Sequence, residues 1–136
     1  MKKRLIKMPK IVCLCGSTRF RNEFQIANYE ESIKGNIVLS VGFYAHQPET
    51  IHTQELGCTP EQKILQDELH KRKIDLSDEV LVLNIGGYIG DSTRSEIEYA
   101  INTGTPVRYK EPIYSTKDLP LIMPVMLLKL KFHVKV

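Results

Sequence analysis

The chain has 136 residues, enough for one domain with a core of ordinary size and too few for a second independent one. Its 42% apolar and 26% charged content is that of a globular protein, and no run approaches the roughly 18 apolar residues that a membrane span requires. A net charge of +3, with lysines spread along the chain, argues against long nucleic acid as a partner.

The start, MKKRLIKMPK, is basic but lacks the apolar segment of about 7 to 15 residues of a secretory signal, and reads as an arm leading into the first strand. That strand, KIVCLC (10–15), carries two of three cysteines, Cys13 and Cys15; Cys58 makes the set odd. Cysteine inside an apolar strand usually behaves as a small hydrophobe, so a cytoplasmic, reducing setting is expected. Metal binding by Cys13, Cys15 and a histidine is conceivable, but the spacing matches none of the usual zinc patterns and no metal is expected.

Three further strands follow: NIVLSV (36–41), EVLVLNI (79–85) and PVRYK (106–110). The first three of the four are nearly continuous in apolar character, the pattern of strands buried on both faces in a parallel sheet. Between them helical periods appear in Phe20, Phe24 and Ala27, in Leu65, Leu69 and Leu76, and in Ile97, Ala100 and Ile101. Thr59-Pro60-Glu61-Gln62 predicts a capping box with proline at the first helical position, and Gly35 and Gly104 mark helix stops. The order βαβαβαβ predicts an α/β fold: a Rossmann-like, flavodoxin-like open parallel sheet of four to five strands with helices on both faces, its ligands at the strands' carboxyl ends. Residues 1–112 form this domain. Residues 113–136 form an extension whose LKLKFHVKV alternates like an edge or interface strand.

Two glycine-bearing loops fall at those carboxyl ends. In CGSTRF (15–20), backbone N–H groups at a helix start, with Ser17, Thr18 and Arg19, suit a phosphate; equally, this is a glycine turn with Ser17 or Thr18 as the helix cap. In GGYIGDSTRSE (86–96), Gly86, Gly87 and Gly90 allow close backbone approach, Ser92 or Thr93 can cap the helix, and Glu96 lies in its first turn. Thr93-x-x-Glu96 is also a capping box, which would fold Glu96 back on its own helix. Glu98 lies about 200° round the helix from Glu96, so one of the two faces a given pocket, and spacing does not choose between them. Residues 42–58 form a long aperiodic segment, a lid candidate in which His46 and His52 can contact a base and Tyr44 can stack on it.

CGSTR after the first strand, SDEVLVLN at the third and then EIEYAINTGTPV resemble the nucleoside 2-deoxyribosyltransferase superfamily, particularly its 2′-deoxynucleoside 5′-phosphate N-hydrolase branch. The resemblance covers roughly residues 10–112 and rests on Gly16, Ser17 and Arg19, then Glu96, Ala100, Gly104 and Pro106. It implies that Glu96 is the nucleophile, attacking the anomeric carbon of a deoxyribosyl group to give a covalent intermediate. It also implies that Ser17 and Arg19 hold a 5′-phosphate and that Ser92 lies near the sugar-phosphate. Gly16, Gly87, Gly90 and Arg94 complete the expected substrate-binding set, with Tyr44 and His46 from the lid. In place of an aspartate that the family commonly carries on the preceding helix, this sequence has His70 or Lys71, with Asp67 about one turn earlier; Asp67 and His70 are the expected auxiliary catalytic residues. The expected activity is cleavage or exchange of an N-glycosidic bond, with no cofactor, by a homodimer or higher homo-oligomer. The alternatives are a nucleotide-binding module without catalysis and an interaction protein acting through its basic C-terminal strand.

Overall fold

The computed structural model describes residues 7–42 and 59–113. The lid candidates Tyr44, His46 and His52, the third cysteine Cys58 and the alternating sequence at 128–136 lie outside the described residues. Seven elements follow in chain order: β1 (Ile11–Gly16), α1 (Arg21–Ile33), β2 (Ile37–Leu39), α2 (Pro60–Asp75), β3 (Glu79–Leu83), α3 (Asp91–Asn102) and β4 (Val107–Tyr109). Among the described residues the four strands form one all-parallel sheet in the order β2-β1-β3-β4. The expected α/β class and open parallel sheet are thus present, in the flavodoxin-like order as far as the fourth strand.

Strand periodicity of two sorts the core into two layers. Val12 and Leu14 of β1 and Leu81 and Leu83 of β3 pack against Phe24 and Ala27 of α1. Their neighbours Cys13, Cys15, Val80 and Val82 point to the opposite face, where Ile74 of α2 and Ile97 and Ala100 of α3 cover them. The continuous apolar runs in the sequence follow directly: both faces of β1 and β3 are covered by helices.

Helix ends match the sequence in part. Thr59 and Gln62 exchange the two bonds of a capping box, Gln62 N donating to Thr59 Oγ1 at 3.1 Å and Thr59 N to Gln62 Oε1 at 3.0 Å. Gly35 and Gly104 take positive φ values of 89° and 84° just past α1 and α3, the left-handed stop that glycine favours.

Three expectations are corrected. Neither Ser92 nor Thr93 caps α3: the helix begins at Asp91 behind Gly90, and Thr93 is already inside it and buried. Phe20, rather than Ser17 or Thr18, precedes α1, while Ser17 Oγ accepts from Arg19 N within the turn at 3.2 Å. The stripe Leu65, Leu69, Leu76 faces outwards, 63%, 47% and 68% exposed; the buried face of α2 consists of His70 and Ile74. Apolar periodicity does not mark this face, because one of its two buried residues is a histidine held by core hydrogen bonds.

At the amino ends of the strands, Glu31 ties the layers together. It is buried, and its carboxylate accepts from Asn36 Nδ2 at 2.9 Å, Lys34 Nζ at 3.1 Å and Arg108 Nη2 at 2.8 Å; Arg108 also pairs with Glu79, which pairs with Lys10. Burial would raise the Glu31 carboxyl, but Asn36, Lys34 and Arg108 outweigh it and leave it below its ordinary value. A depressed carboxyl contributes stability at pH values above its unfolded value of 4.5, and this is lost as pH falls through the lower folded value. Glu31→Gln is therefore expected to lower the unfolding free energy by about 1 to 2 kcal/mol at pH 7, with the difference closing under acid conditions. Urea melts of both proteins at pH 7 and pH 3 measure this; an equal difference at both would rule out a charge-based role.

Candidate functional site

The sheet reverses its order between β1 and β3, and a pocket of about 350 Å³ opens at the carboxyl ends of those strands. Gly16 ends β1 where a Cβ would stand 3.2 Å from both Cβ and the carbonyl oxygen of Leu83. The absent side chain lets β1 and β3 run together up to the pocket. From there the chain turns through Ser17, Thr18 and Arg19 into α1. On the other side Leu83 leads through Asn84 and a single 3₁₀ turn, Ile85–Gly87, into the start of α3. Residues at the beginnings of both helices, Ser17 and Thr18 before α1 and Asp91 to Thr93 in α3, line the cavity, so the positive ends of two helix dipoles lie beside it.

The 3₁₀ turn is anchored by Glu111, two residues beyond β4. Buried Asn84 donates through Nδ2 to the Glu111 carbonyl and accepts from Glu111 N through Oδ1, both at 2.9 Å, and Glu111 Oε1 accepts from Gly86 N at 3.0 Å. Gly86 and Gly87 have φ of 63° and 83°, where a side chain would be strained. These glycines shape the turn and Gly87 does not line the pocket, whereas Gly90 does.

The floor carries the unusual chemistry. Helix α2 directs His70 into the core, 5% exposed, and α3 directs Glu96 towards it, 8% exposed, while Glu98 on the same helix points to solvent. His70 Nε2 lies 4.0 Å from Glu96 Oε1, 3.0 Å from the Leu14 carbonyl oxygen and 3.5 Å from both Cys13 Sγ and Cys15 Sγ. The two thiols sit on one face of β1 because i and i+2 of a strand do, and both are fully buried behind the histidine.

Burial pushes the Glu96 carboxyl up to about 7, against the opposing pull of His70 and of a hydrogen bond from the Cys15 thiol. Burial works the other way on His70, but its bond to Cys13 and the charges of Glu96 and Cys13 prevail and hold its proton above the ordinary value. Cys13 is drawn down to about 5 by the hydrogen bond from Cys15, with His70 assisting, and Cys15, the buried donor of that pair, is raised. The Glu96 carboxyl and the His70 imidazole are thus both pushed up from their ordinary values beside a lowered Cys13 thiol, a coupled set suited to acid–base and nucleophilic work.

The rim is polar. Lys63 Nζ donates to both carboxylate oxygens of Asp67, at 3.1 and 3.0 Å, and to Ser92 Oγ at 2.8 Å, linking α2 to α3 across the cavity's edge. The Arg19 guanidinium lies 4.2 Å from the centre of the Tyr88 ring, and Phe20 meets the same ring edge-on at 6.0 Å. Lys73 donates to the Ser40 carbonyl at 2.6 Å beneath the β2 side.

The pocket therefore gathers Gly16, Ser17, Arg19, Asp67, His70, Gly90, Ser92 and Glu96 from the sequence-derived set; Gly87 and Arg94 are not in its lining. Sequence reading missed Lys63, Lys73 and Tyr88 as pocket residues and missed the thiols as partners of His70. The i, i+4 spacing of Lys63 and Asp67 was the available signal for the first of these. Nothing local in the sequence connects residue 70 to residues 13 and 15. No protein-family model and no curated protein matches the chain.

Proposed function

We propose that this chain cleaves or exchanges the N-glycosidic bond of a 2′-deoxynucleotide through a covalent deoxyribosyl ester on Glu96. The observation that carries the reading is the buried Glu96 carboxylate beside His70 at the floor of a cavity whose rim presents two helix starts, Ser17, Arg19 and Lys63. The resemblance of CGSTR and EIEYAINTGTPV to the nucleoside 2-deoxyribosyltransferase superfamily supports the same assignment.

Glu96 attacks the anomeric carbon, the carbon–nitrogen bond breaks, and the departing base takes the electron pair together with a proton. His70 holds the carboxylate charged and supplies that proton, and Asp67 at the rim orients the sugar and base. Water, or a second base, then attacks the ester and returns Glu96. Ser17, Arg19 and the start of α1 hold the 5′-phosphate, with Ser92 and Lys63 opposite. The reaction needs no cofactor. The protein works in a reducing, cytoplasmic setting as a homodimer or larger homo-oligomer, to which the exposed Ile64, Leu65, Leu69 and Leu76 on the outer face of α2 lend support.

The test is a panel of deoxynucleosides and their monophosphates incubated with wild type and Glu96→Ala, assayed for free base and for exchange of labelled base. Release by the wild type alone supports the reading. A second reading, nucleotide binding without catalysis, draws on the ion pair that ties Asp67 to Lys63 at the rim. It predicts no free base from any substrate and nucleotide affinity unchanged or improved in Glu96→Gln.

Arg19 separates phosphorylated from neutral substrates. Arg19→Gln is expected to raise KM for a monophosphate about tenfold, the loss of one charge-assisted bond, and to leave the matching nucleoside unaffected. Equal losses on both substrates would remove Arg19 from the phosphate site and leave it as a partner of Tyr88.

A further inference from the structure

Helix α2 is polar over most of its length, yet it buries a histidine against two cysteines in the middle of the sheet. The glycosidic reaction uses His70 and Glu96 and has no role for the thiols. Cys13 Sγ, Cys15 Sγ and a nitrogen of His70 all lie within 4.8 Å of one another, and both sulfur-to-Nε2 distances are 3.5 Å. A tetrahedral zinc ion, with bonds of about 2.3 Å to sulfur and about 2.0 to 2.1 Å to nitrogen, sets neighbouring ligand atoms about 3.5 to 3.8 Å apart. Two thiols and an imidazole also form a soft ligand set, suited to thiophilic ions rather than to magnesium or calcium.

We propose that Cys13, Cys15 and His70 form a binding site for a thiophilic divalent cation such as zinc, with Glu96 completing the coordination from the pocket side. His70 and Glu96 line the pocket and the thiols stand directly behind His70, so an ion enters through the pocket floor. Binding displaces the Cys15 thiol proton, any proton still on Cys13, and the Nε2 proton of the His70 imidazolium, whose Nδ1 keeps its own; the displaced protons pass to water. The Nε2 bond to the Leu14 carbonyl is given up. One neutral hydrogen bond is small beside the affinity of two thiolates and an imidazole for zinc.

A functional consequence rests on the proposed glycosidic reaction: the ion takes His70 and Glu96 away from substrate and silences the pocket until it is removed. The ion is thus an inhibitor and not a cofactor.

The experiment uses the full chain, freed of metal with a chelator, reduced with a phosphine and titrated with cobalt(II). Thiolate-to-cobalt charge-transfer absorption with tetrahedral d–d bands, saturating at one ion per chain and displaced by zinc, is expected. Cys58→Ser should keep these bands, Cys13→Ala and Cys15→Ala should lose the charge-transfer intensity, and His70→Asn should weaken binding at least tenfold, with folding followed by circular dichroism. Folded wild type without charge-transfer absorption at stoichiometric cobalt overturns the proposal, as does absorption lost in Cys58→Ser but kept in Cys13→Ala. Should the alanine variants fail to fold, X-ray absorption of the zinc-loaded wild type decides: two sulfur ligands support the site, and one or none overturns it. These spectra need no turnover, so a protein that binds the ion but releases no base even when metal-free refutes the glycosidic reading alone. Chelator-reversible loss of base release completes the test of the inhibitory role.

Discussion

Glu96→Gln should fold, bind nucleotide and release base at least about 10³-fold more slowly than wild type. Glutamine keeps the volume and the hydrogen-bonding shape but cannot form the glycosyl ester. Glu98→Gln, changed on the exposed side of the same helix, should keep the wild-type rate. The stability of the two forms gives a second readout with opposite sign. Glu96 is desolvated, with its carboxyl raised to about 7 from an ordinary value of 4.5. A raised carboxyl withdraws stability as pH climbs from the unfolded value to the folded one, because the unfolded chain releases the proton first. Above pH 7 that penalty is on the order of 3 kcal/mol, and a neutral glutamine escapes it. The inactive variant should therefore melt higher than wild type at pH 8 and much closer to it at pH 5. A variant that loses activity and stability together at pH 8 would mark Glu96 as a structural residue.

The pattern of folding was legible where one residue type carries one physical signal. Four strand-like runs, three of them nearly continuous in apolar character, gave four strands, Gly35 and Gly104 gave two helix stops, and Thr59 with Gln62 gave a capping box. The choice between Glu96 as nucleophile and Glu96 as a cap was not legible, because Thr93-x-x-Glu96 satisfies the capping pattern as well as the family resemblance. The start of α3 behind Gly90 removes the cap: Thr93 lies inside the helix, and Thr93 and Glu96 are buried while Glu98 is exposed. The leucines of α2 misled for the opposite reason. They repeat at helical spacing on the face away from the core, and the face that packs is defined by Ile74 and a polar residue with buried partners. The floor of the pocket was least legible, since residues 13, 15, 70 and 96 meet only through the parallel crossovers that place α2 and α3 over β1.

His70→Asn should lower base release by about 10² to 10⁴-fold and also move the acid limb of the pH profile, a combination that separates it from a packing defect. The groups facing this pair are Cys13 and Cys15 from β1, Asp67 and Lys73 from α2, and Glu96 itself from α3. In metal-free wild type the Glu96 carboxylate is lost as pH falls through about 7, so activity should drop on that side. The His70 proton, held above its ordinary value of 6.5, is lost at higher pH and closes the profile on the alkaline side. The profile is then a bell whose two apparent values belong to the coupled pair. Removing the imidazolium removes the charge that pulls the Glu96 carboxyl down, so in His70→Asn the acid limb should shift to higher pH and the alkaline limb should disappear. Glu96→Gln should act reciprocally, lowering the pH at which the His70 ring signals titrate by NMR, because the carboxylate that stabilises the imidazolium is gone. An acid limb that stays in place when His70 is replaced would mean that the 4.0 Å between Nε2 and Oε1 carries no electrostatic coupling. His70 would then serve the fold through Leu14 and the two thiols, and the proton for the departing base would have to come from Asp67.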